Sequence, residues 1–152
     1  MMTIFWDTDG VLLADYLIQG NTINCQYYAS LIERLRSAIL EKRLGKVSRG
    51  VLLFRENALV HKSNVVQAAI RQMSFAELNH PAYSPDIVLT YYHIFSHLKK
   101  FLRGKTFDSD DDVMATVQTF LRDLHSGFFS TGIESLRDRW QRVVAIHGEY
   151  IQ

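Results

Sequence analysis

The sequence predicts an α/β domain, and three observations carry that expectation. Val51-Leu52-Leu53-Phe54 is an apolar run without alternation, the pattern of a strand buried on both faces at the centre of a sheet. Two β-prone runs, Met2 to Trp6 and Val11 to Leu17, flank Asp7-Thr8-Asp9-Gly10. Asp-Gly between such runs marks a hairpin, because glycine accepts the positive φ of a tight turn. Around these strands lie stretches whose apolar residues recur at helical spacing.

Bulk properties bound the reading. A chain of 152 residues has the length of one domain able to bury a core. Its apolar fraction of 47% and charged fraction of 22% are those of a globular protein. The net charge of +1 carries no global signature of a nucleic-acid binder, so phosphate contacts would have to come from a local cluster. Cys25 is the only cysteine, which excludes an internal disulfide and a cysteine-rich zinc site. A lone thiol fits a reducing compartment. No apolar run approaches the roughly 18–20 residues of a membrane span, and no signal peptide is predicted. Met1 to Trp6 runs straight into a strand, which reads as a chain that begins inside a sheet.

Each element has its own justification. Asp7 and Asp9 could be metal ligands, but turn chemistry explains them better. Gly20 to Asn24 leads into a helix from Tyr28 with the stripe Leu31, Ile32, Leu35, Ala38 and Ile39. Glu33, Arg34, Arg36, Glu41, Lys42 and Arg43 fall largely on its other face, read as solvated, and Gly45 is its stop. After the Val51 strand, Ser63 caps a short helix carrying Val65, Val66, Ala69, Ile70 and Met73, and Phe75 to Leu78 reads as a short strand. His80 to Asp86 holds both prolines and must be a stiff, extended loop.

A helix is expected from about Thr90, burying Ile94, Phe95, Leu98, Phe101 and Leu102. Lys99, Lys100, Arg103 and Lys105 cluster near its end, where cations also suit the helix dipole. Ser109 with Asp110, Asp111 and Asp112 opens the next helix. A metal site in that acidic run is the competing reading. Val113, Val117, Phe120, Leu121 and Leu124 face inward, and Gly127 breaks the helix. The last helix holds Ile133, Leu136, Trp140, Val143 and Val144 and ends near Gly148.

Glu56 and Asn57 follow the carboxyl end of the Val51 strand, where ligands bind in such sheets. A plain polar loop after a core strand explains them equally well. Further residues join them in a recognisable set: Trp6-Asp7, Gly10-Val11, Gly20 to Asn24, Tyr28, Glu56-Asn57-Ala58 with His61, and His80 to Asp86. The set continues with Tyr92-His93-Ile94-Phe95, Leu98, Phe128-Phe129, Gly132-Ile133, Leu136, Arg139-Trp140-Gln141 and Gly148. With these residues the chain resembles the C-terminal part of the catalytic domain of mariner-type (Tc1/mariner) transposases, a domain also found fused to a SET methyltransferase. The resemblance implies an RNase H-like, retroviral integrase-like mixed sheet with flanking helices, here N-terminally truncated. It implies DNA cleavage and strand transfer at three acidic positions that hold Mg²⁺ or Mn²⁺. Two such ions, about 3.5–4 Å apart, keep the attacking and leaving oxygens in line.

The chain departs from that pattern at each acidic position. The strand carrying the first acid would precede Met1, so the first acid is expected to be absent and the edge beside Val51 unpaired. Glu56 stands at the second position, after Arg55 instead of the usual histidine. Its extra methylene displaces the carboxylate in a geometry with little tolerance. Tyr91 stands at the third position, and a phenol with a pKa of about 10 is a poor ligand for Mg²⁺. Asp86 matches a structural aspartate of the family loop. His61 and His93 match family positions too, but imidazole does not suit Mg²⁺. A Zn²⁺ or Mn²⁺ site from Glu56, Asp86 and His93 is the alternative.

The resulting reading is a degenerate catalytic domain spanning residues 1–152, without a separate DNA-binding or SET domain and without productive metal binding. It would be catalytically inactive and retain at most DNA binding through Lys99, Lys100, Arg103 and Lys105. Expected partners are DNA and a second copy or another transposase, in the nucleus and away from membranes. The alternatives are a protein-interaction module and a transposon-derived reading frame without a role.

Overall fold

In the computed structural model of the chain, residues 2–17, 20–54, 62–78 and 89–145 are described. They form two compact units. One comprises Met1–Phe5 and Leu12–Tyr83, the other Trp6–Val11 and Ser84–Gln152.

The first unit is built on one helix. Strand β1 (Met2–Asp7) turns back into β2 (Gly10–Tyr16), and the two form a two-stranded sheet. At the turn the Asp7 carboxylate accepts the Asp9 N–H at 3.0 Å, and Gly10 takes φ +135°. Asp7 thus does turn work, as the Asp-Gly signal predicts. Helix α1 (Cys25–Lys42) starts where the Asn24 side chain accepts the Tyr27 N–H at 2.7 Å. Its predicted stripe is its buried face: Leu31, Ile32, Leu35 and Ile39 are each at most 2% exposed. Gly45 (φ +78°) then begins a short helix α2 (Lys46–Arg49) that the sequence did not announce.

The opposite face of α1 is less solvated than its composition suggests. Arg34 pairs with Asp15 of β2 at 2.7 Å, and Tyr27 donates to the same carboxylate. Lys42 donates to the Leu12 carbonyl at 2.8 Å, and Arg36 is half-buried. Long basic side chains here tie the helix to the hairpin.

Strand β3 (Val51–Phe54), helix α3 (Asn64–Gln72) and strand β4 (Phe75–Leu78) follow. Ser63 caps α3 by accepting the Val66 N–H at 3.3 Å. β3 and β4 pair in parallel, with Leu52 beside Ala76 and Leu53 beside Glu77. Parallel strands need a crossover, and α3 supplies it. Leu12 from β2, the α1 stripe, Leu53, Val66, Ala69, Ile70 and Phe75 make one hydrophobic cluster.

The expectation that β3 is buried on both faces is corrected. Leu53 points into the cluster, whereas Leu52 is 63% exposed, with Ala76 and Leu78 exposed beside it. The helices α1 and α3 supply the core on one face. Among the described residues β4 is the one strand paired with β3.

The second unit is mainly helical. A π-helix (Thr90–Phe95) runs into α4 (Ser96–Leu102), followed by α5 (Asp110–Asp123) and α6 (Ser126–Ala145). Ser109 caps α5 by accepting the Asp112 N–H at 3.2 Å, with the three aspartates in the first turn. That is cap and dipole chemistry. The break between α5 and α6 falls at Leu124, which is extended (ψ 133°). Gly127 therefore lies in the first turn of α6 and does not end α5, and the predicted end at Gly148 lies outside the described residues.

Two leucines separate core from surface. Leu35→Ala should cost about 2–5 kcal/mol, the usual cost of emptying a buried leucine site. Leu52→Ala should stay within about 0.5 kcal/mol. Urea unfolding followed by circular dichroism checks both.

Candidate functional site

The sequence-predicted residues fall into two groups. Glu56, Asn57, His61 and Asp86 lie outside the described residues. Tyr91, His93 and the cations at 99–105 belong to the π-helix and the segment after it. The backbone of Tyr91 lies within the π-helix, and its side chain is outside the described set. π-Helical turns arise often at functional sites, because the extra residue per turn re-aims its side chains.

Packing of aromatic rings holds this turn. The Trp6 indole N–H donates to the Thr90 hydroxyl at 3.1 Å. The His93 ring lies against Trp6 at 6.0 Å and is stacked on Phe128 at 4.1 Å between centroids. Phe129 completes the cluster at 5.7 Å from Trp6. The His93 Nε2–H donates to the Phe128 carbonyl at 2.5 Å, which fixes its tautomer. His97 Nδ1–H donates to the His93 carbonyl at 2.6 Å. Gly132 is required beside this ring, because a Cβ there would collide with the imidazole.

One residue further, the Tyr92 hydroxyl bonds Ser135 at 3.1 Å, and the Arg139 guanidinium sits 3.8 Å over its ring. Burial pushes the Tyr92 phenol above its usual pKa, against the Ser135 bond and the Arg139 charge. Burial likewise pushes the His93 pKa down, seconded by the nearby His97 and opposed by the Phe128 carbonyl.

The cations lie at the other end of the same helical run. Lys99, Lys100, Arg103 and Lys105 are exposed, and among the described residues none makes an ion pair. Lys105 Nζ sits 3.5 Å over the Phe101 ring, and Phe101 packs on Phe120 at 5.0 Å. The ammonium is thus held by an aromatic platform. The acidic start of α5 does not neutralise this cluster through the helix: Asp111 is about 13 Å from Phe120 along its axis. That exceeds the screening length of about 8 Å at physiological salt.

The same architecture occurs in known proteins. The family model Transposase (partial DDE domain) matches residues 1–49. The chain is 34% identical over 151 residues to the human histone-lysine N-methyltransferase SETMAR, covering 99% of this chain and 22% of that protein. It is 29% identical over 154 residues to the Mariner Mos1 transposase of Drosophila mauritiana, of which it covers 45%. A structure of the Mos1 catalytic domain with raltegravir and Mn superposes with a TM-score of 0.95, covering 99% of this chain and 76% of that one. A pre-cleavage Mos1 transpososome superposes at 0.94. The chain belongs to the mariner transposase family. Its fold is the RNase H-like DDE fold of the Mos1 catalytic domain. It spans 22% and 45% of the lengths of these two curated relatives.

Membership explains the aromatic cluster. Trp6, His93, Phe128, Phe129 and Gly132 all belong to the set that carries the resemblance, and here they meet around the π-helix. The reading from periodicity missed this cluster. Its members come from three separate segments, and no regular spacing joins them; the motif set was the only signal.

Two measurements test the packing. Gly132→Ala should destabilise the chain by about 1–3 kcal/mol through overpacking, seen as a lowered urea midpoint. His93 is held neutral, so its folded pKa lies below the ordinary value of about 6.5. The unfolded chain then binds more protons just below that value, and stability should fall as pH drops through it toward the folded pKa. His93→Gln should flatten this fall, as read by thermal melts between pH 8 and 5.

Proposed function

We propose that this chain is a DNA-handling segment of a mariner transposase that no longer builds the family's metal centre. The positions that carry the family's second and third acids hold Glu56 and Tyr91. Mg²⁺ and Mn²⁺ take carboxylate and carbonyl oxygens. A neutral phenol does not replace a carboxylate, and a glutamate for an aspartate lengthens the reach. This donor set does not fit two close dications, so no cleavage step is assigned to these residues.

What supports retained DNA binding is the exposed cluster Lys99, Lys100, Arg103 and Lys105, without acid partners among the described residues. Structures of the relative Mos1 include a pre-cleavage transpososome and a paired-end complex with a left transposon end. Binding by such a cluster is mainly to phosphate and carries little sequence information. A protein acting on chromosomal DNA works in the nucleus, alone or with a transposase partner. Among the described residues no helix is long and apolar enough to cross a membrane.

The test is nicking of supercoiled plasmid with Mg²⁺ and with Mn²⁺, beside Glu56→Ala. No nicking by either protein is expected; nicking that disappears in Glu56→Ala would overturn the proposal. In gel-shift titrations binding should weaken steeply with salt. Replacing all four cations by alanine should lower the slope of log K against log salt by about 0.7–0.9 for each phosphate that is no longer neutralised.

A further inference from the structure

We propose that the open edge of β3 is a docking site for one extended strand of a mariner catalytic domain, from the part of that domain that these 152 residues do not match. The proposal rests on family membership and is independent of DNA binding.

The first observation is a mismatch between sequence and structure. Val51-Leu52-Leu53 is written without a charge, a proline or an alternating polar residue. Such a segment is the signature of a strand with neighbours on both edges and cover on both faces. Natural edge strands carry lysine, proline or a bulge to prevent pairing. Yet among the described residues β3 pairs only with β4, and Leu52 is 63% exposed. Ala76 and Leu78, exposed on the same face, extend this apolar surface across β4.

The second observation is the unfinished sheet. β1–β2 and β3–β4 are separate two-stranded sheets, although Leu12 of β2, Leu53 of β3 and Phe75 of β4 share one hydrophobic cluster on α1. Two-stranded sheets are marginal alone, and a third strand makes them independently stable. A strand added to β3 would satisfy its outer N–H and C=O groups and set alternate side chains beside Leu52 and Leu53.

The third observation selects the occupant. The match to the Mos1 catalytic domain uses 99% of this chain at a TM-score of 0.95 but only 76% of that domain. The remainder of the same compact domain therefore lies outside the matched part and is available as the missing strand. A second copy of this chain offers no such segment, only its own identical edge.

Overlapping peptides covering the unmatched part of the Mos1 catalytic domain would be titrated into the full 152-residue chain. Amide hydrogen exchange at Val51 to Leu53 and the melting temperature are the readouts. One contiguous apolar peptide should bind one-to-one, slow exchange at the outer β3 amides at least tenfold and raise the melting temperature. Leu52→Lys should weaken that peptide at least tenfold, while Leu44→Lys, at an 88% exposed site outside the strands, should not. The proposal fails if no peptide slows β3 exchange, if protection appears elsewhere, or if β3 is already protected through self-association that dilution removes. Gel shifts on the same preparations report DNA binding separately, so either reading can fail alone.

Discussion

The buried stripe of α1 is the constraint on which the first unit depends. Leu31, Ile32, Leu35 and Ile39 are almost without solvent contact, and residues from β2, β3, α3 and β4 gather on them. Neither two-stranded sheet has a core of its own. Their apolar residues become buried only because one helix offers a face long enough to receive them. The polar ties of Arg34 to Asp15 and of Lys42 to the Leu12 carbonyl then fix where the hairpin sits on that helix. The exposed pair is worth little by itself; its role is orientation.

The second unit is organised differently, around one imidazole. His93 is neutral, hydrogen-bonded and packed between rings, so it behaves as an aromatic core residue with a polar handle. This arrangement holds the π-helix that contains Tyr91. The scaffold that displays the third acidic position of the family is thus in place, while the residue it displays is a phenol. Scaffold and chemistry have separated: the packing residues Trp6, His93, Phe128, Phe129 and Gly132 agree with the family set, and the ligand positions do not. A fold can persist in this way because packing is enforced by stability, whereas metal ligands are enforced only by activity.

The strand β3 illustrates the same separation at the level of folding. Its residues are suited to the middle of a sheet, and the described residues give it the place of an edge strand. That local conflict between sequence and setting is the kind of frustration that natural domains remove. It marks β3 as the place where the fold is completed by something further.

The sequence by itself determined most of the local structure. Caps at Asn24, Ser63 and Ser109, the Asp-Gly turn and the α1 stripe were legible, because each rests on chemistry within a few residues. The motif set identified the family and named Glu56 and Tyr91 as the altered positions, since that required only residue identity and order. Tertiary structure decided the rest. It showed that β3 is open on one face, that Arg34 and Lys42 bind the hairpin, and that His93 is a core residue. It also placed the helix break at Leu124, ahead of Gly127. Each of these depends on contacts between residues far apart in the chain, and no periodicity or spacing in the sequence encodes which distant surfaces will meet.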